Sequence, residues 1–216
     1  MVYEDNDANI HTVCMKNNRR TQAERSAATR DALVAAGRAL FAARGYAEVG
    51  TEAIVQAAGV TRGALYHQFA DKTELFAAVF ETVEAEVIAR IGVAISAQAP
   101  ADPIEAMRLG AGAWLDAACA EPEVQRIALL DAPAVLGWAR WREIGSRYGM
   151  GLVQGLLSQA IAAGQVPPQP VGPLAHVLLG ALRESALYLA DAADPVTARR
   201  EIGAVIDGMI AALARP

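Results

Sequence analysis

Seven consecutive residues, Thr61-Arg62-Gly63-Ala64-Leu65-Tyr66-His67, with Lys72 shortly after them, hold the most specific chemistry in this chain. An arginine in the first turn of a short helix can lay its planar fork against guanine O6 and N7, which discriminates between bases by about 1–3 kcal/mol. A tyrosine hydroxyl, an imidazole and a lysine ammonium suit phosphate oxygens, contacts that set register without reading sequence. Thr61 offers a hydroxyl to the free backbone N–H groups that open such a helix. Leu65 and Phe69, four residues apart, mark its packed side. Gly63, Ala64, Tyr66 and His67 then occupy the opposite arc, with Arg62 at its edge. Plainer roles stay open for single residues: Tyr66 as a half-buried helix residue, His67 as a solvated one. Lys72 opens a helix, where a cation opposes the helix dipole, so a task beyond helix stability is favoured.

Neighbouring elements must position that arc. Residues 51–58 and 61–69 read as two short helices joined at Gly59-Val60, the spacing of a helix-turn-helix. Gly59 supplies the left-handed turn residue, and Ala57 and Ala58 are small enough for close helix crossing. Ile54, Val60, Leu65 and Phe69 form its expected interior. Upstream, Leu33, Ala36, Leu40 and Phe41 share one face of a helix running from Ala23 to Arg44, with Gly45 ending it. Downstream, Asp71 caps a helix over 72–95 with Leu75, Phe76, Val79, Phe80, Val83 and Val87 as its apolar positions. Pro100 to Pro103 breaks the chain. Further helices are expected near 103–120, 122–130, 138–164, 172–191 and 196–214. The fold class is all-α, about nine helices, with an arm over 1–20, a helix-turn-helix unit over 21–70 and a larger helical domain over 71–216.

Composition agrees and narrows the function classes. Alanine, leucine and charged helix formers dominate, which excludes an all-β chain, and a hydrophobic content of 54% excludes a disordered one. The net charge of −5 gives no hint of nucleic acid, but its sign changes along the chain. Residues 15–75 carry nine Lys/Arg against six Asp/Glu, whereas 1–14 and 76–216 are both acidic. Cys14 and Cys119 form no CxxC, so a reduced, cytoplasmic protein is expected. The acidic N-terminus lacks the pattern of a secretory leader. Residues 148–182 carry no formal charge, yet Pro167-Pro168-Gln169-Pro170 divides them, and neither half offers about 20 continuous apolar residues. Core or subunit-packed helices explain this stretch, and no membrane partner is expected. The opening segment gives way at Met15 to Lys16-Asn17-Asn18-Arg19-Arg20, leaving Met1 and Met15 both open as the native start. No GxSxG, HExxH or P-loop occurs, and the histidines are scattered without a cysteine or acidic cluster at metal spacing. No enzyme activity, cofactor or metal is expected.

The spaced set Phe41, Gly45-Tyr46, Ile54, Ala58-Gly59-Val60-Thr61, Gly63, Leu65-Tyr66, Phe69, Lys72 and Leu75 resembles the TetR family of transcriptional regulators over about residues 25–80. The resemblance implies a three-helix DNA-binding domain, a divergent helical domain for ligand binding and dimerisation, and homodimers that leave a DNA operator when a small molecule binds. Transferred to this chain, the DNA-facing residues are Thr51, Glu52, Thr61, Arg62, Gly63, Ala64, Tyr66, His67 and Lys72. Val49-Gly50 departs from the hydroxyl pair found in many members, which removes one hydroxyl contact and the stronger cap. Glu52 is open between accepting from cytosine N4 and standing as a solvated first-turn acid. Arg19, Arg20 and Arg25 are open between a solvated arm and a minor-groove or phosphate contact.

The rest of the chain speaks less specifically. Met107, Trp114, Trp138, Trp141, Tyr148 and Met150 are candidates to line a mostly apolar pocket, with Arg126, Asp131 and Arg183 as its polar contacts. Each has a core or surface role as the alternative. Leu174, Val177, Leu178, Ala181, Ser185 and Leu189 on one helix, and Ile202, Val205, Ile206 and Met209 on the next, make broad apolar faces. Pattern and resemblance together assign them to a four-helix dimer interface, with an intrachain core as the alternative. The expected function is a ligand-released repressor. An activator, or a helical small-molecule-binding protein of the same fold, remains the alternative.

Overall fold

The structure, a computed structural model, describes residues 21–214, all of whose regular elements are helical. The expected N-terminal arm, with Arg19, Arg20 and both candidate start residues, lies outside the described residues. Helix α1 (Gln22–Arg44) opens on a capping box: the Thr21 hydroxyl accepts from Glu24 N–H, and the Glu24 carboxylate accepts from Thr21 N–H. It closes at Gly45, whose φ of 78° is one that side chains resist. Helices α2 (Thr51–Ala58) and α3 (Arg62–Gln68) are joined through Gly59 in the left-handed conformation, φ 66° and ψ 30°. Asp71, Asp102 and Asp194 cap α4 (Lys72–Ala97), α5 (Pro103–Ala120) and α9 (Pro195–Leu213). Gly50 opens α2 without a side-chain cap, while Val49 beside it is fully buried. The residue that departs from the family's hydroxyl pair is therefore spent on the core.

Between α5 and the long helix α7 (Trp138–Ala162) the structure differs from the expected short α-helix. Residues Val124–Asp131 form a π-helical segment that runs into α6 (Ala132–Leu136). Its wider turn brings the Ala132 N–H to the Ile127 carbonyl. The next bond in that series would come from residue 133, a proline without an N–H. The Ala128 carbonyl instead accepts from the indole Nε1 of Trp141 at 2.9 Å, in a fully packed setting. A π-helix of this length is uncommon, and here a distant tryptophan completes it.

Two large apolar clusters hold the fold, with a small third at Ala118, Leu129 and Ala186. One runs from α1, α2 and α3 through α4 into the π-helix and α7, with Phe41 and Phe76 edge-to-face at 5.2 Å and Tyr46 against both. Gly37 faces α4, where a Cβ would meet Val79 at 3.4 Å, an ordinary contact. The other cluster joins α5, α7, α9 and α8 (Val171–Ala190) around Leu115, Leu157, Ala175 and Leu189. Among the described residues no helix is long and apolar enough to cross a membrane.

Candidate nucleic-acid interface and ligand cavity

Leu65 and Phe69 anchor α3 from below, and Ile54 and Val55 do the same for α2. With that side packed, Arg62, Gly63, Tyr66 and His67 are exposed on the other, together with Thr61 and Glu52; Ala64 and Thr51 are half-buried. The Thr61 hydroxyl accepts from Ala64 N–H at 3.2 Å, so it serves as the cap. The Arg62 side chain is 64% exposed, 3.9 Å from the Glu52 carboxylate and 5.6 Å above the Tyr66 ring. Glu52 and Tyr66 thus orient Arg62 without burying it. No side chain grows from Gly63, and a Cβ there would meet only Thr61 Oγ1, at 3.9 Å. An exposed, hydrogen-bonding strip that carries the Arg62 guanidinium suits the floor of a major groove.

Lys72 stands apart from this strip. Its ammonium donates to the carbonyls of Tyr46 and Val49, both at 3.0 Å, and lies 3.8 Å from the Tyr46 ring centre. Two of its three donors are committed to the loop between α1 and α2. That explains why a lysine opens α4 against the dipole: it ties α4 to the helix-turn-helix unit. A second tie comes from Asp131 at the end of the π-helix, whose carboxylate accepts from Tyr46 N–H at 2.8 Å. Arg38 adds a third, pairing with Glu123 at 2.6 Å and Glu86 at 2.7 Å.

A cavity of about 90 Å³ lies between α4, α5, α7, α8 and α9. Of the residues expected around a pocket, Met107, Trp114, Trp141 and Arg183 line it; Trp114 Nε1 also donates to the Leu182 carbonyl. The other five do not, and Met150 packs half-buried against the second apolar cluster instead. Arg126 and Asp131 close on Gly45, at the junction with the helix-turn-helix unit, because the π-helix turns them toward α1. Trp138 is 56% exposed at the start of α7, its ring tilted 53° against that of Trp141. Tyr148 points to the far side of α7, where its hydroxyl donates to Glu81 at 2.9 Å.

Sequence reasoning missed Glu84, which lines the cavity and is 7% exposed. The signal was present: Glu84 follows Phe80 by four and precedes Val87 by three, so it interrupts the apolar stripe of α4. Burial pushes its carboxyl up to about 7, against the opposing charge of Arg183. Arg183 is held below its usual range by burial, with Glu84 acting in the other direction. Its guanidinium lies 4.9 Å over the Trp141 ring.

The faces expected to meet a second subunit are divided. Leu178, Ser185, Leu189 and Ile206 are buried within the subunit, because those sides of α8 and α9 pack on α5 and α7 and wall the cavity; the intrachain alternative holds for these four. Leu174, Ala181 and Ile202 are half-buried. Val177, Val205 and Met209 face outward, and Tyr188 joins them.

Comparison with known proteins bears on both halves. Residues 33–79 match the model described as bacterial regulatory proteins, tetR family, and residues 104–213 match the one described as tetracyclin repressor-like, C-terminal domain. The solved structure of a TetR-family transcriptional regulator from Pectobacterium atrosepticum is 34% identical, with a TM-score of 0.79 over 91% of this chain and 99% of that one. The HTH-type transcriptional regulator CymR of Pseudomonas putida is 37% identical over 90 residues, 42% of this chain and 44% of that protein. AcrR of Shigella flexneri is 38% identical over 69 residues, 32% of each. The match to both curated relatives therefore spans less than half of their length.

Proposed function

This chain belongs to the TetR family of transcriptional regulators, and from that premise we propose that it is a sequence-specific DNA-binding repressor, released from a pseudo-palindromic operator by a small hydrophobic ligand. The observation that carries this reading is the exposed arc of α3, where Arg62, Gly63, Tyr66 and His67 stand clear of the core behind the Thr61 cap. In this reading Arg62 reads a base edge, while Tyr66 and His67 meet phosphates. Lys72 positions the unit and has one donor left for the backbone of the DNA.

A homodimer follows from the outward apolar residues of α8 and α9. Val177 is 62% exposed, Val205 56% and Tyr188 54%, in two adjacent helices whose other sides are packed. Two copies of such a pair form a four-helix bundle and set two α3 helices about 34–36 Å apart, one turn of DNA.

Release rests on α4. The helix lines the cavity through Glu84, Ile88 and Ile91, and its first residue holds the α1–α2 loop. The cavity is smaller than the roughly 150 Å³ that an engineered apolar cavity offers to benzene. In this reading a ligand larger than the cavity spreads the helices, and movement of α4 carries the helix-turn-helix with it. Full release requires the ligand to favour the spread form by about 5 kcal/mol.

The test is selection of bound sequences from random duplex DNA by the purified protein, with light scattering for its mass. An enriched inverted repeat and a dimer at micromolar concentration are expected. A monomer, or enrichment of no common site, overturns the reading. Val177→Glu together with Val205→Glu is expected to yield a monomer that loses the paired half-site.

A further inference from the structure

Two charged groups reach the cavity from different helices and find no hydrogen-bond partner among the described residues. Glu84 comes from α4 and Arg183 from α8. Gly145 of α7 keeps the space between them open: a Cβ there would lie 2.8 Å from Arg183 Nη2 and 3.7 Å from Glu84 Oε2. Carboxylate and guanidinium therefore face each other across the missing side chain without closing into an ion pair. A buried polar group left in this state is destabilising unless something bonds to it. Around the pair the wall is apolar, with Trp114, Ile88, Leu156 and Leu182.

The gap dictates what can fill it. The Cβ position of Gly145 lies within 3.7 Å of both polar atoms, and charge-assisted hydrogen bonds measure about 2.7–2.9 Å, so one oxygen atom near that position reaches both after a small shift. That atom must donate to the carboxylate and accept from the guanidinium. A hydroxyl does both, whereas an ether or ketone cannot donate. When Glu84 is ionised the two charges offset each other, so a neutral guest adds no unpaired charge. An anion would require Glu84 to take up a proton. Arg142 is the other charged group acting on Arg183.

We propose that the cavity binds a neutral apolar ligand bearing a hydroxyl, an alcohol or a phenol, whose O–H donates to Glu84 and whose oxygen accepts from Arg183. This rests on the reading of the cavity as the ligand site. It goes beyond that reading by naming the functional group that the site selects.

Calorimetry of the full chain without DNA tests it, with 4-ethylphenol, 4-ethyltoluene and 4-ethylbenzoate as probes. The phenol is expected to bind about tenfold or more tightly than the toluene of the same shape, from hydrogen bonds to charged partners. Its affinity should rise from about pH 6 to about pH 8, as Glu84 ionises and becomes the acceptor. Glu84→Gln should shrink the phenol's advantage and abolish its pH dependence, and Arg183→Met should shrink the advantage independently, with thermal melts checking both folds. Equal binding of phenol and toluene overturns the proposal, as does no phenol binding up to millimolar concentration. Benzoate binding more tightly than phenol, and weakening as pH rises, overturns it in favour of an anion. Because no DNA is present, failure of operator binding leaves this result standing. Phenol binding without operator release unseats only the repressor reading.

Discussion

Arg62 and Arg183 show how differently the two halves of this molecule use a cation. Arg62 stands on α3, 64% exposed, loosely flanked by Glu52 and Tyr66. Arg183 is half-buried in the helical body, over Trp141 and opposite Glu84. The first sits where solvent screens its neighbours, so its pair with Glu52 contributes little to stability. It is available to an outside partner. The second sits where screening is weak and each unpaired group is expensive. The lesson is that the helix-turn-helix half displays its polar chemistry at no expense to the core, while the body stores polar chemistry at the expense of stability.

That contrast can be broken first at the core the halves share. Phe41 belongs to the same apolar cluster as Trp141, although one lies in α1 and the other in α7. Phe41→Ala is expected to cost about 3–5 kcal/mol in chemical denaturation and to lower one common transition. Two separate transitions would show that the halves fold independently, and would replace the shared-core picture.

The stored expense is measured at Glu84. Its carboxyl pKa is raised, so the folded state holds its proton more tightly than the unfolded one. Glu84 accordingly leaves stability intact below the usual carboxylate range and erodes it as pH rises toward about 7. Glu84→Gln is expected to remove that slope and to stabilise the protein above pH 7 by on the order of 3 kcal/mol. Parallel melting curves for both proteins at low pH and at high pH check it; an unchanged difference between them would remove the buried-charge account.

Arg62→Ala addresses the opposite half. It is expected to relax discrimination at one base pair in each half-site by about 1–3 kcal/mol, read from the selected sequences, with the melting temperature unmoved. A large loss of stability would mean that Arg62 is structural after all. The smallest effect belongs to Thr61→Ala, which removes the cap of α3 for about 1 kcal/mol. Because α3 has only seven residues, that change should weaken DNA binding as well as stability.

Legibility follows the same division. Gly59, Thr61, Leu65 and Phe69 act within a few residues of one another, so their spacing foretold the turn, the cap and the packed side. The helix limits near Asp71, Pro103 and Pro195 were readable for the same reason: caps and proline breaks are local. The π-helix was not, because its completion depends on the indole of Trp141, thirteen residues beyond the carbonyl it serves. Nor were the places of Arg126, Trp138 and Tyr148, since an aromatic or cationic side chain on a long helix does not declare which neighbour it meets.

By itself, then, the sequence determined an all-α chain, a helix-turn-helix with its exposed arc, and the family to which it belongs. The first two follow from periodicity and short-range backbone chemistry, and the third from a resemblance carried by the spaced residues between Phe41 and Leu75. The tertiary structure alone decided that Lys72 ties α4 to the α1–α2 loop and that α8 and α9 divide their apolar residues between an inner wall and an outer face. It also decided that Glu84, Gly145 and Arg183 meet at one cavity. Those three lie on different helices, and only the packing of α4, α7 and α8 brings a carboxylate, a bare backbone and a guanidinium to the same point, where low dielectric gives their separation its consequence.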